Sequence, residues 1–155
     1  MKTIKLISIM WVSVLLFGCA SGALKENMVY KGDQKSYDQN LNDSVEVGSI
    51  SGGEKTNPAW TSEISNEAFS GAVKISLAEQ GLLSKDGKYQ LSVKLIKVEQ
   101  PMFGFDMTVT THVQYVLTDT RNSTILLDEI VVSPHTATVG DAFAGIKRLR
   151  LANEG

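Results

Sequence analysis

Phe105-Asp106-Met107-Thr108-Val109-Thr110-Thr111-His112-Val113-Gln114-Tyr115-Val116-Leu117 alternates apolar and polar side chains along its length. Successive side chains on a strand point to opposite faces, so Phe105, Met107, Val109, Val113, Tyr115 and Leu117 share one face. Asp106, Thr108, Thr110, His112 and Gln114 take the other. A period of two held this long predicts an antiparallel strand with one face on the core and one face wet.

The neighbours on either side extend this into a meander. Upstream, Tyr89, Leu91, Val93 and Leu95 alternate with Gln90, Ser92 and Lys94, and the apolar positions then slip to Ile96 and Val98. Such a slip predicts a strand with a bulge after Leu95. Downstream, Asp119-Thr120-Arg121-Asn122-Ser123 reads as a hairpin loop and Thr124–Ser133 as the returning strand, with Pro134 ending the sheet.

Further out, Phe69, Ala72, Val73, Ser76 and Leu77 recur at helical spacing and predict a helix over about 66–80. Ser65 or Asn66 is placed to cap it, and Gly81-Leu82 reads as a left-handed stop. Gly71 inside the helix points to close packing on the sheet. Before this helix, Val45 and Val47 alternate with Glu46, and Gly48 shifts the parity before Ile50, as in a short strand with a glycine bulge. Trp60 is expected to plug the core. After Pro134, Thr138 and Asp141 have capping-box spacing, and Val139, Ala142, Phe143, Ile146 and Leu149 form a second amphipathic face. The fold class is therefore α+β: two layers, strand-helix-strand-strand-strand-helix, with a mostly antiparallel sheet and both helices packed on one face.

The start of the chain speaks to location. Lys2 and Lys5 precede an apolar run from Leu6 to Phe17, and Leu16-Phe17-Gly18-Cys19 ends at the only cysteine. The run is shorter than the roughly 20 residues of a membrane-spanning helix, and Phe17 leaves the small-x-small pattern of an ordinary signal poorly formed. These residues resemble a bacterial lipoprotein signal peptide with its lipobox. The resemblance implies diacylglyceryl attachment at Cys19, cleavage before it and acylation of the new amine. With Ala20-Ser21 next and no aspartate, it also implies the periplasmic side of the outer membrane. Three parts follow: a signal peptide at 1–18, a lipidated N-terminus with a flexible polar tether at 19–43, and one domain at 44–155. A free tether of that length reaches ~80 Å at about 3.3–3.6 Å per residue.

Cleavage removes Lys2 and Lys5 from the 15 basic residues and leaves all 17 acidic ones. An acidic surface argues against nucleic-acid binding, which runs on positive charge. A single cysteine committed to lipid cannot form an internal disulfide.

Motif by motif, catalysis finds little support. Gly48-Ser49-Ile50-Ser51-Gly52-Gly53-Glu54-Lys55-Thr56 approaches a phosphate loop, but Glu54 separates the glycine from the lysine and Pro58 blocks a helix begun at Lys55. Asp106 shares a strand face with His112 but stands ~20 Å from it, beyond hydrogen-bond reach. His135 lies in the loop after Pro134, and Asp128 and Glu129 point to opposite faces. No spacing suggests a metal site, a cofactor or a serine nucleophile, so no catalytic residue is assigned.

Two features are candidate contacts for an envelope lipid or protein. One is the apolar loop Pro101-Met102-Phe103-Gly104-Phe105, through Met102, Phe103 and Phe105. The other is the basic run Lys147, Arg148 and Arg150, whose alternative role is to balance the C-terminal end of the last helix.

Asn57-Pro58-Ala59-Trp60-Thr61-Ser62, Gln100-Pro101-Met102-Phe103-Gly104-Phe105-Asp106 and Ala142-Phe143-Ala144-Gly145-Ile146-Lys147-Arg148-Leu149-Arg150-Leu151-Ala152-Asn153-Glu154-Gly155 together resemble a family of small proteobacterial envelope lipoproteins. In layout the chain is also similar to YajG-type lipoproteins and, more remotely, to lipoproteins of lipopolysaccharide assembly. Relatives carry the last helix further, which implies a chain truncated at Gly155. No catalytic residue comes with the resemblance. The expected function is a non-enzymatic, outer-membrane-anchored periplasmic lipoprotein that assists or binds an envelope component. The alternatives are an enzyme on envelope lipid or sugar precursors, such as an acyl transferase with His112 or His135 as base, and a structural subunit of an envelope complex.

Overall fold

The computed structural model describes residues 20–57 and 61–155. The signal peptide, Cys19 and the Trp60 plug fall outside the described residues. Four strands, β1 (Val45–Ser51), β2 (Tyr89–Glu99), β3 (Met107–Asp119) and β4 (Thr124–Ala137), form one sheet in the order β1-β2-β3-β4. β1 and β2 run parallel, while β2, β3 and β4 form an antiparallel meander. The helices are α1 (Lys25–Met28), α2 (Asn66–Glu79) and α3 (Gly145–Glu154). The fold is α+β with a mostly antiparallel sheet, as the sequence pattern predicts.

Local signals account for much of this. The register of β1 against β2 slips between Val47 and Ile50, beside Gly48, and that of β2 against β3 slips between Leu95 and Lys97. Both are positions where the apolar parity changes in the sequence. Ser65 caps α2, its hydroxyl accepting from the Ala68 amide at 3.1 Å. At the other end Gly81 adopts φ +69°, the Leu82 amide donates to Leu77 and the Gly81 amide to Ala78. That is a Schellman stop, and Gly81 takes its left-handed conformation without a Cβ clash.

Two packed clusters line the helix side of the sheet. The larger joins Val45, Leu91, Val93, Leu95 and Val113 to Ile64, Leu82 and Ala23, with Phe69, Val73 and Leu77 of α2 against it. The smaller joins Met107, Val109 and Ala137 to Leu149 and Ala152 of α3. α2 contacts β1, α3 contacts β3 and β4, and α1 touches both of these helices.

Residues 20–43 correct the expectation of a free tether. Ala20, Ala23 and Val29 are buried, and Met28 and Leu41 pack against the larger cluster. Hydrogen bonds fasten the segment along its length. The Ser62 hydroxyl donates to the Ser21 carbonyl at 2.7 Å, the Ala23 amide to Glu63 at 3.0 Å and the Tyr30 amide to the Ser76 hydroxyl at 3.0 Å. The Lys35 amide donates to Gln80 at 2.9 Å and the Asp43 amide to Gly81 at 3.0 Å. Polar anchoring of the backbone replaces the apolar stripe that periodicity would detect. Gly71 belongs to this contact rather than to the sheet, because a Cβ there would meet the Lys25 side chain at 2.9 Å.

Three boundaries also differ. β4 continues through Pro134, which pairs in register with Thr110. An edge strand tolerates proline because only one of its sides has a neighbour to bond. Phe105 lies outside β3 and is largely exposed instead of facing the core. The last helix begins at Gly145, not at the Thr138 box. Asp141 does accept from the Thr138 amide and hydroxyl, but Gly140 and Gly145 disfavour helix and the segment forms a turn.

Candidate functional site

β4 pairs with β3 on one side and, among the described residues, has no strand on the other. From Thr124 to Thr136 every residue is exposed. Leu127 and Val131 lie opposite Leu117 and Val113 and face the helix side, beyond the reach of α3. Ile130 and Val132 lie opposite Gln114 and His112 on the other face. Ile125 and Leu126 flank the register slip near the hairpin. The strand thus offers an open backbone edge with apolar side chains on both faces.

A second apolar surface gathers where the β2–β3 loop meets the loop before α3. Met102, Phe103 and Phe105 come from the first and Phe143 from the second, and all four are at least 85 % exposed. Arg148 holds the two loops together. Its guanidinium donates to the Ala142 and Phe143 carbonyls at 2.8 and 2.6 Å and to the Gly104 carbonyl at 3.2 Å. Arg148 is buried, which corrects its reading as a free basic contact: its charge is spent on backbone carbonyls. Arg150 is half-buried, donates to the Ser21 hydroxyl at 3.0 Å and pairs with Glu154 at 3.5 Å. Lys147 remains exposed on the first turn of α3. The basic run is thereby divided: Arg148 is buried between the two loops, Arg150 is engaged by Ser21 and Glu154, and Lys147 faces solvent.

Phe143 is not among the candidate contacts that the sequence offers. Helical spacing assigns it to the core face of the last helix, and only the flanking Gly140 and Gly145 signal that the helix starts later. Arg148 was singled out as a cation, but its role in tying the loops carried no signal, since its partners are backbone carbonyls.

The wet face of the sheet carries a small charged group. Glu99 bonds Lys97, and its carboxylate lies 3.6 Å from Nε2 of His112. The hydrogen bond from Lys97 holds the Glu99 carboxyl below its usual range. β2 thus supplies the carboxylate neighbour that Asp106 cannot, but 3.6 Å exceeds a hydrogen bond. A groove of about 280 Å³ beside β2 is lined by Glu54, Glu63, Lys97 and Gln100 among apolar and backbone neighbours. Its lining contains no histidine, serine or cysteine. Among the described residues no cluster of His, Cys, Asp and Glu could hold a metal ion. No described helix is long and apolar enough to cross a membrane.

No protein-family model matches the chain, and no curated protein matches it by sequence. Solved structures do. Protein XCC0632 of Xanthomonas campestris, of the DUF330 family, aligns with a TM-score of 0.51 at 11 % identity over 76 % of this chain and 82 % of its own. The hypothetical protein CT253 of Chlamydia trachomatis aligns at 0.48 and 8 % over 64 % and 74 %. A proposed lipoprotein of Caulobacter crescentus CB15 aligns at 0.48 and 13 % over 74 % and 79 %. The likenesses to YajG-type and lipopolysaccharide-assembly lipoproteins rest on the sequence reading alone. What the chain shares with the DUF330 protein is its fold.

Proposed function

We propose that this is a lipoprotein anchored through Cys19 on the periplasmic side of the outer membrane, and that it serves as a non-enzymatic accessory by binding a protein partner along β4. One observation carries the reading. Among the described residues β4 leaves its outer backbone edge without a strand partner while exposing Ile125, Leu126, Leu127, Ile130, Val131 and Val132. Natural edge strands are usually shortened, charged or covered, because an open apolar edge recruits another strand. Here Asp128, Glu129 and Pro134 limit that recruitment without removing it. An extended segment of a partner can add to β4 by main-chain hydrogen bonds, with alternate side chains reading the apolar rows.

A photo-crosslinking residue at Val132, in cells carrying the full chain, tests this. A discrete adduct with another envelope protein is expected from Val132 and not from Lys94 on the far strands. Equal labelling from both positions, or none, removes the reading. An adduct with a second copy alone would replace the accessory with a self-assembling subunit.

A further inference from the structure

We infer that Met102, Phe103, Phe105 and Phe143 form a foot that sits in the lipid surface to which Cys19 is anchored, so that the domain rests on the bilayer instead of swinging from it. The inference depends on the proposed lipidation of Cys19 and goes beyond it.

The geometry begins with the lack of slack. Ala20 is buried, and the Ser21 carbonyl is held by the Ser62 hydroxyl. Cys19 is therefore joined through Ala20 alone to Ser21, which Ser62 and Arg150 fasten to the domain, so no more than ~8 Å of chain separates the two Cα atoms. A lipid on Cys19 brings the membrane surface against the domain itself.

The direction of the segment then says which end faces the lipid. Leu24 bonds Glu154 at the end of α3, and Ser21 bonds Arg150 one turn earlier. The segment thus runs parallel to α3, and going back from Leu24 to Ser21 moves toward the N-terminal end of that helix. Arg148 stands two residues before Arg150, about 3 Å of helix rise. It is the side chain that ties Gly104 and Phe143 together. Ser62 closes the same circuit from the other side, since its carbonyl accepts from Gln100 at 2.9 Å, at the root of the loop that carries Met102 and Phe103. Ser21, two residues from the proposed lipid attachment, and the apolar end are therefore neighbours.

The chemistry of that end suits an interface. Four large apolar side chains converge from two loops, and an exposed patch of this kind needs an apolar partner. Lys147, exposed on the adjoining helix turn, is placed for anionic headgroups. Asp106 and Asp141 also lie in these loops, and Asp141 is occupied by Thr138. One weak apolar insertion suffices where lipid already supplies the anchoring, because the two act as joined signals.

The test uses the full chain, purified from membranes and placed in vesicles of phosphatidylethanolamine and phosphatidylglycerol. Cys19 is the only native cysteine, so when it is lipidated an introduced cysteine is the only free thiol. Met102→Cys and Lys85→Cys, at opposite ends of the sheet, each take an environment-sensitive fluorophore. The expected result is blue-shifted emission and quenching by spin-labelled lipid at Met102, with neither at Lys85. Adding Phe103→Ser and Phe143→Ser, at exposed positions that leave the core intact, is expected to return the Met102 label to its aqueous spectrum. Emission at Met102 equal to that at Lys85, in lipidated protein, overturns the foot and leaves the anchor standing. Wild-type chain that takes up label at Cys19 carries no lipid there and overturns both.

Discussion

The N-terminal segment and β4 invert each other. Residues 20–43 are mostly polar, yet they are fastened to Ser62, Glu63, Ser76, Gln80 and Glu154 and bury Ala23 in the larger cluster. β4 is rich in Ile, Leu and Val, yet it exposes all but its last residue. Apolar content alone did not decide which of the two is covered. The segment is held because its backbone amides and carbonyls find side-chain partners, while β4 satisfies one row of backbone groups on β3 and leaves the other row open. Order therefore tracks hydrogen-bond closure in the first case, and readiness for a partner tracks its absence in the second.

This contrast can be broken at several points. The largest effect belongs to the covered half of the sheet. Leu95→Ala is expected to destabilise by about 3 kcal/mol in urea denaturation, as for a buried leucine with little room to collapse. A loss under ~1 kcal/mol would mean that the covered half is no better packed than β4.

Next comes the clasp. Glu154 is buried and accepts from the Leu24 amide and the Asn27 side chain, both at 2.9 Å. Glu154→Ala should cost roughly 2 kcal/mol, because the Leu24 amide loses its acceptor. Residues 20–28 should then become sensitive to protease while β2 and β3 keep slow amide exchange. Unchanged protease resistance would show the segment to be held by its apolar contacts alone.

A smaller effect depends on pH. The hydrogen bond from Arg121 to Asp119, at the end of β3, lowers that carboxyl from 3.8 to about 2. A depressed carboxyl stabilises the fold above its unfolded value and ceases to do so as pH falls through its folded value. The stability gap between wild type and Asp119→Asn should be full above pH ~4 and shrink toward pH ~2. Arg121 is largely exposed, so added salt should narrow the gap as well. A gap that is flat from pH 5 to 2 contradicts the assignment.

The smallest effect is expected on β4. Val132→Thr should alter the stability of the isolated chain by no more than ~0.5 kcal/mol, since the side chain is already in water. The same substitution should weaken crosslinking to a partner. A large loss of stability instead would show that β4 is covered within a single chain.

Legibility in the sequence followed the range of the interactions. α2, its Ser65 cap, the Gly81 stop and both bulges depend on residues a few positions apart, and each was readable. The alternation in β3 carried the sheet and its meander. The clasp was not readable, because Leu24 and Glu154 are 130 positions apart and meet through one carboxylate. Arg148 was read as a surface cation for a similar reason: three carbonyls from two loops leave no trace in residue type. Phe105 and Phe143 followed apolar spacing past the ends of their elements, where the backbone had already turned away. The apolar character of the 101–105 loop was legible. Its nearness to Ser21 was not, because it depends on how residues 20–24 lie along α3.

The bond between Leu24 and Glu154 also sets an order of events. A chain that emerges from its N-terminus delivers Leu24 130 residues before Glu154, so the clasp cannot close until that intervening stretch has followed. Until then Met107, Val109 and Ala137 have no α3 over them. Contacts this distant in sequence slow folding and leave apolar surface open while they wait. The emerging chain therefore passes through a stage in which both β4 and the helix-side face of β3 are bare, and that interval is when a chaperone would find it.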